Sequence, residues 1–450
     1  MRLWPLFASL PLASAMIMAC SSSDGGAPAP SNPGPDASSE PTVSPEAGSP
    51  DEGEDADAGP REAGTPKPLD VTCGDGSTCY VAVSGNGSKH VCGLSKDGTV
   101  RCWGRDSLAP PVAGDGGTLV GDGALGRGAA VSTLEGATPA KVSGLSDVTQ
   151  ISVGPNLGTC ARTSNGSVYC WGRNDFGQLG RPHSEASLPT PARVEGIPPV
   201  DHVELGSSIA CAIGSSDRAL YCWGWWRNGL GIPEDPASGS FAPQLVTTFR
   251  APVKALAIGS YGASIVQPWG WAELSDTIVA LLDGNIAATL GKNVLWGAYP
   301  IAGPSERSGI DRIGPFSYAT SDGLAHRWLP TESSIYIPAF APAIELKVSA
   351  DRESELALQG GVLTSTGRLF RWGPNTAGAL GVAPNELSRT AYPVEVEQVR
   401  GRVVSFATTV DSTCALLVDG KVQCWGANVY GELGRGTADL DAHPEPEDVR

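Results

Sequence analysis

A glycine followed five residues later by a tryptophan recurs along this chain, and that spacing constrains the fold more than any other feature. It occurs at Gly98/Trp103, Gly166/Trp171, Gly291/Trp296, Gly323/Trp328, Gly367/Trp372 and Gly420/Trp425. Trp223 adds a seventh instance, with Arg218 standing where glycine is expected. Around the best copies whole modules align. Val168-Tyr169-Cys170-Trp171-Gly172 matches Val422-Gln423-Cys424-Trp425-Gly426, and Cys160-Ala161 and Cys414-Ala415 precede them. Downstream, Phe176-Gly177-Gln178-Leu179-Gly180 returns as Tyr430-Gly431-Glu432-Leu433-Gly434 and as Ala377-Gly378-Ala379-Leu380-Gly381. Repeats of this length are single supersecondary units that bury their apolar faces only against one another. Composition selects strands as those units. The chain has 58 Gly and 37 Pro in 450 residues and only 18% charged residues, which suits short strands and tight turns and excludes long helical bundles.

The layout inside each module is Pro-x-x-Val, then Val-x-x-Ile-x-x-Gly, then Cys-Ala…Gly-x-Val-x-Cys-Trp-Gly, then Gly-Gln-Leu-Gly. Pro191-Ala192-Arg193-Val194 and Val203-Glu204-Leu205-Gly206 show its first half, and Val148 to Gly154 reads as an alternating strand closed by glycine. This layout resembles the regulator of chromosome condensation repeat. The resemblance implies an all-β fold, a seven-bladed β-propeller with four strands per blade, over residues 69–450. It is specific at 140–231 and 400–436, interrupted at 90–126, and weak from 250 to 345. Trp296 and Trp328 stand 32 residues apart, too close for an ordinary blade, so six blades or one irregular blade are the alternatives. The Asp-to-Trp spacing of sialidase-type propellers and the Trp-Asp pair of WD repeats fit less well.

Ten cysteines form local pairs: Cys73/Cys79, Cys92/Cys102, Cys160/Cys170, Cys211/Cys222 and Cys414/Cys424. Three of these pairs are ten residues apart around a central Asp-Gly or Asn-Gly. If Val418-Asp419-Gly420 is a three-residue hairpin loop with Gly420 left-handed, Leu417 pairs with Lys421 and Cys414 faces Cys424. That step is a non-hydrogen-bonded pair, where side chains lie closest, so cross-strand disulfides are expected. The corresponding positions elsewhere read as Asn285/Leu295, Ser317/Arg327 and Gly361/Arg371. Cysteines are lost there two at a time, as covalent pairing in an oxidising compartment requires. A zinc site needs Cys-x₂-Cys or nearby His, which these hairpins do not offer.

The eleventh cysteine closes an apolar leader. Arg2 precedes the apolar run Leu3–Met18, and Ile17-Met18-Ala19-Cys20 is followed by Ser21. This resembles the lipobox of bacterial lipoproteins, which implies a signal peptide over 1–19 and lipidation of Cys20. Ser21 in place of Asp leans the resemblance towards the outer membrane, with several acyl chains anchoring the protein stably. Residues 20–68 then form a linker rich in Pro, Ser, Gly and acid, with ten carboxylates against Arg61 and Lys67. Such a stretch buries too little apolar surface to fold and is expected to be a disordered spacer. No other apolar run approaches the length of a spanning helix.

Function is less legible. The net charge is −17, which argues against nucleic acid, whose affinity comes from Lys and Arg on phosphates. No catalytic constellation, cofactor motif or metal site is expected: the five His sit in unrelated contexts, and the glycines follow the repeat period. Seven tryptophans close repeats and are expected to pack one blade against its neighbour. Four others, Trp225, Trp226, Trp269 and Trp271, fall outside the motif within residues 225–271. With Arg227 and Tyr261 they form the candidate ligand-binding patch, since tryptophan dominates binding hot spots and loops on rigid scaffolds carry function. The bland reading is that they plug a distorted blade. The expected role is a membrane-tethered, extracytoplasmic, non-enzymatic module binding a protein or cell-envelope ligand. The alternatives are an inhibitor of a secreted hydrolase, by resemblance to a β-lactamase-inhibiting propeller, and a carbohydrate-active enzyme. The expected export signal and paired Cys argue against nucleotide exchange on a nuclear GTPase.

Overall fold

The computed structural model describes residues 69–74, 78–107, 122–182, 184–225, 242–249, 251–261, 275–283, 286–290 and 359–450. It also describes the shorter segments 112–113, 119–120, 305–307, 310–314, 317–320, 325–327 and 342–349. The leader, Cys20 and the acidic linker lie outside the described residues.

Among the described residues seven antiparallel blade sheets follow one another along the chain, with a two-stranded sheet of Val112–Ala113 and Leu119–Val120 between the third and fourth strands of the first. Blade 1 comprises Tyr80–Ser84, His90–Ser95, Val100–Gly104 and Ala140–Lys141; blade 2 comprises Val148–Gly154, Gly158–Thr163, Val168–Arg173 and Ser187–Arg193. Blade 3 comprises Val200–Leu205, Ile209–Gly214, Leu220–Gly224 and Gln244–Val246; blade 4 comprises Val253–Tyr261, Ser275–Leu282, Ile286–Leu290 and Ser305–Arg307. Blade 5 has three strands among the described residues, Ile310–Gly314, Ser317–Thr320 and Ala325–Arg327. Blade 6 comprises Ala343–Ser349, Gln359–Thr364, Leu369–Pro374 and Arg389–Glu395; blade 7 comprises Val403–Thr408, Ser412–Leu417, Val422–Gly426 and His443–Asp448. The first strand of each blade packs on the preceding blade, and that of blade 1 packs on blade 7. The ring is closed, as a parallel bridge from Ser88 to Thr409 also shows.

Two sequence expectations change here. Val148–Gly154 is not a simple alternating strand. Its pairing shifts between Val148 and Gln150, and the same irregularity recurs near the start of the first strand in all seven blades. Strict alternation would send Val148 and Ile151, three apart, to opposite faces. The bulge turns both inward, with Val148 and Ile151 buried together in one core cluster. In blade 4 the Gly291/Trp296 spacing is not the hairpin. Leu282 already pairs with Ile286, so the turn comes earlier and the disulfide position is held by Val279 opposite Thr289, not by Asn285 and Leu295. Moving that turn relieves the apparent crowding before Trp328 and leaves room for seven sheets.

The remaining hairpins match the register expected from sequence. Cys414 faces Cys424, Cys160 faces Cys170 and Cys92 faces Cys102, each bonded with Cα atoms 4.1 Å apart. Cys211 and Cys222 also face each other, because one extra turn residue is absorbed by Arg218 at φ +52°. Cys73 and Cys79 form the fifth disulfide.

The core lies between blades rather than within them. Cys160, Val168 and Cys170 of blade 2 pack on Val203, Leu205, Ala210 and Trp223 of blade 3. Each described repeat tryptophan is buried, and four donate Nε1–H to a carbonyl of the preceding blade's loop: Trp103 to Glu432, Trp171 to Ala124, Trp223 to Gln178 and Trp425 to Ala379. A buried indole thus supplies packing area and satisfies its one donor across the seam.

Candidate recognition face

The two ends of the blades are built differently. At one end sit the turns between second and third strands and the links from blade to blade. Gly166, at φ +80°, allows the next blade to lie against its turn, since a Cβ there would meet Val200 N at 2.8 Å. Val200 N–H donates to Gly166 O, and Val148 to Gly98, Val253 to Arg218 and Val403 to Gly367 bond alike. Tyr80 N–H donates to Gly420 O to close the series, and Thr72 N–H donates to Val418 O beside the Cys73–Cys79 bridge. This end is compact.

At the other end lie the connections between first and second strands and between third and fourth strands. Long connections leave here: 105–139, 174–186, 225–243, 291–304, 375–388 and 427–442 after third strands, and 262–274 and 350–358 after first strands. The described loops are pegged by one residue three positions after the repeat tryptophan. Asn174 Oδ1 accepts from Leu179 N–H at 2.9 Å, while its Nδ2 donates to the carbonyls of Arg181, Pro182 and Glu185. Asn375 and Asn428 act in the same way on Leu380 and Leu433. In blade 1 Asp106 takes the position and accepts from Leu125 and Val131 N–H. Sequence reasoning missed these pegs, although Trp-Gly-x-Asn/Asp was visible in four repeats.

Between the pegs, three positions border a described blade seam: one before the second strand, one just after Trp-Gly, and one in the preceding blade's loop. At the seam of blades 2 and 3 they are Ser208, Trp225 and Phe176. The Trp225 ring is half-buried and stacked on Phe176, centroids 5.6 Å apart and planes 10° from parallel, and the Trp225 backbone N–H donates to Ser208 O. At the seam of blades 7 and 1 they are Lys89, Arg105 and Tyr430, with both cations over the Tyr430 ring. At the seam of blades 6 and 7 they are Asp411, Ala427 and Ala377. The framework repeats while these positions change.

Trp225 is therefore a seam residue with a packing partner. Tyr261 ends the first strand of blade 4, paired with Ser275. Trp226, Arg227, Trp269 and Trp271 lie outside the described residues. The strands flanking their segments end at the same face of adjacent blades 3 and 4.

Glu432 and His90 are buried titratable groups at this end of the ring. Burial pushes the Glu432 carboxyl up to about 7, while its Oε2 accepts from Tyr430 N–H at 2.7 Å. His90 is fully buried, and burial lowers its pKa to about 3. On the first strands of blades 2 and 3, His202 contacts Glu204 at 3.0 Å and Gln150 at 3.1 Å, and Ser152 donates to Glu204. Ser152 is thus held by a carboxylate, not by the imidazole that a serine nucleophile needs. Among the described residues no three metal-ligating side chains converge, and no helix is long and apolar enough to cross a membrane.

Comparison with known proteins agrees with this architecture. One profile of the regulator of chromosome condensation (RCC1) repeat matches residues 165–213 and 366–416, and a second matches 80–108, 148–178 and 403–432. The ultraviolet-B receptor UVR8 of Arabidopsis thaliana is 25% identical over 377 residues, covering 79% of each chain. The E3 ubiquitin-protein ligase HERC2 of Homo sapiens is 30% identical over 333 residues, which cover 72% of this chain and 6% of the ligase. Among solved structures, Prp20p of Saccharomyces cerevisiae superimposes with a TM-score of 0.62 at 18% identity, covering 83% of this chain and 87% of Prp20p. Human WBSCR16 gives 0.57 at 16% identity, with 77% and 92% covered. The chain carries RCC1 repeats and folds as an RCC1-like propeller.

Proposed function

We propose that this propeller is a tethered recognition module of the bacterial cell envelope, which binds a protein or envelope ligand through the face that carries the long connections. The observation behind this reading is the division of labour between the two ends. The chain enters the described ring at Leu69, whose side chain lies beside Gly367, and passes Val418 at Thr72. Both contacts are at the compact end. The chain entering at Leu69 to Thr72 therefore does not cross the face that carries the long connections. Rigid scaffolds with variable loops on one face suit partner recognition. Prp20p was solved in a study of its binding to Gsp1p and histones, and a complex of Prp20 with Kap60 is known; a protein partner is proposed here by analogy of fold.

Recovery of partners from envelope extract by the full chain, compared with Trp225→Ala/Trp269→Ala, tests the recognition face. Loss of a specific partner with an unchanged melting temperature is expected. Equal recovery by both forms removes the aromatic face from the reading. The tether is tested separately. Cys20→Ser is expected to release the protein from the membrane fraction, and continued membrane association would end the lipid-anchor proposal.

A further inference from the structure

Where one blade follows another in sequence, a short link carries the chain from a fourth strand to the next first strand, as from Arg193 to Val200 and from Glu395 to Val403. The last residue of that link has a fixed position. Asp147, Pro199 and Arg402 each accept at their carbonyl from the turn of their own blade, through the N–H of Ser164, Ser215 and Val418. Each also lies against the turn glycine of the preceding blade: Asp147 on Gly98, Pro199 on Gly166 and Arg402 on Gly367. Cys79 holds this position in blade 1. Its carbonyl accepts from Lys96 N–H, and its Sγ lies against Gly420 of blade 7. No short link can reach it from blade 7, whose fourth strand, His443–Asp448, comes last of the strands along the chain. Instead Leu69 lies beside Gly367, Thr72 N–H donates to Val418 O, and Cys73 bonds to Cys79. This disulfide also differs in access. The eight hairpin cysteines are 0% exposed, whereas Cys73 and Cys79 are half-buried.

We propose that the Cys73–Cys79 bond is a redox latch on the ring: it replaces the peptide link at the closing seam, and an external dithiol opens it before any hairpin disulfide. Thiol–disulfide exchange requires a thiolate to reach a cystine sulfur. One thiolate of the dithiol attacks, forming a mixed disulfide and releasing one cysteine, which takes up a proton. The second thiolate then displaces the other cysteine, which is protonated in turn. Two electrons pass to the cystine, leaving two cysteine thiols and the dithiol oxidised to its own disulfide. The intact bond makes two anchors on the blade 7 turn act as one, Thr72 on Val418 and Tyr80 on Gly420. Once it is cut each anchor can let go separately. The seam then rests on its non-covalent contacts, among them Gly87 N–H to Thr408 O and the Trp103 indole to Glu432 O, and it opens more often.

Graded dithiothreitol on the full chain, followed by iodoacetamide alkylation and peptide mapping, tests the access. Cys73 and Cys79 are expected to be labelled at a concentration at least about tenfold below that needed for any hairpin cysteine. Amide hydrogen exchange tests the latch. In the selectively reduced protein, and in Cys73→Ser/Cys79→Ser, exchange at Tyr80 and Gly87 is expected to rise at least about tenfold. Val200 and Val403, at linked seams, are expected to keep the parent rate. Cys160→Ala/Cys170→Ala, which removes a disulfide inside a blade, is expected to leave Tyr80 and Gly87 unchanged. The reduced parent carries the test should the serine variant fail to fold. Labelling of hairpin cysteines at the same dithiothreitol concentration would overturn the proposal. So would an unchanged rate at Gly87, since the bond would then hold only its own segment. An equal rise at Val200 and Val403 would also overturn it, because the whole ring rather than the closing seam would have loosened.

Discussion

Arg371 stands directly across from Gly361 in blade 6, in the pair of positions that four other blades join by a disulfide. The residue facing this pair from the next blade is Phe406, where blades 2, 3 and 4 present Ile151, Val203 and Leu256. A Cβ on Gly361 would come within 2.7 Å of the Phe406 ring. The larger aromatic occupies the space that a cystine uses elsewhere, and glycine is what fits beside it.

Arg371 itself is fully buried, and none of its three guanidinium nitrogens has a hydrogen-bond partner among the described residues. Desolvation lowers its pKa to about 9, still charged at neutral pH. A buried unpaired cation costs several kcal/mol, and apolar replacement of buried charge often gains about 1–4 kcal/mol. Arg371→Met is therefore expected to raise the unfolding free energy by about 1–3 kcal/mol in urea titration. A midpoint at or below that of the parent would show that the charge is compensated.

The hairpin disulfides should act independently, each within its own blade. Closing a loop of about ten residues restricts the unfolded chain by roughly 2–3 kcal/mol. Cys160→Ala/Cys170→Ala is expected to lose that amount under oxidising conditions. Peptide mapping of the non-reduced protein should link Cys92 to Cys102, Cys160 to Cys170, Cys211 to Cys222 and Cys414 to Cys424. Bonds joining different blades would contradict the register.

The blade unit and its cystines were legible because they are local: one turn type fixes the register, and register fixes which residues face each other. Reading failed where the same letters arose by coincidence. Gly291/Trp296 has the spacing, but the strand it would start already ends at Leu290. It also failed where the partner belongs to another blade. Trp225 carries no local sign of Phe176, and Arg105 and Tyr430 meet only because the ring closes. The first-strand bulge was written in the Val-x-x-Ile spacing, which no alternating strand can bury on one face.

The loop pegs predict a large loss from a small change. Asn174 is buried, accepts one bond from backbone and donates to three carbonyls. Asn174→Ala leaves those groups unpaired and should cost about 2–4 kcal/mol, given about 1–3 kcal/mol for each buried group left unsatisfied. Asn174→Asp keeps the bond from Leu179 but turns a donor towards carbonyls into an acceptor, so it should be as damaging at neutral pH. Thermal melts of both variants check this; an Asp variant as stable as the parent would mean the carbonyls find other donors.

Glu432 and His90 predict opposing pH dependences. Gln178, at the position of Glu432 in blade 2, accepts from Phe176 N–H and donates to Arg173 O; an ionised Glu432 can only accept. Its folded pKa is raised from 4.5 to about 7, so between those values the folded protein holds a proton that the unfolded chain has released. Stability from this group therefore falls as pH rises from about 4.5 to 7, by up to roughly 3 kcal/mol. His90 runs the other way. Held by Ser88 and Thr159 at 2.7 and 2.8 Å and lowered from 6.5 to about 3, it stays neutral while the unfolded chain takes up a proton. Its contribution is complete above pH 6.5 and is lost as pH falls towards 3. In the parent the two slopes offset each other between pH 4.5 and 6.5. Glu432→Gln removes one of them. It should be more stable than the parent at pH 8 by about 1–3 kcal/mol, close to it at pH 4.5, and visibly acid-sensitive below 6.5. Unfolding titrations at these pH values decide the matter, and a difference between the two proteins that does not change with pH would show that Glu432 titrates normally.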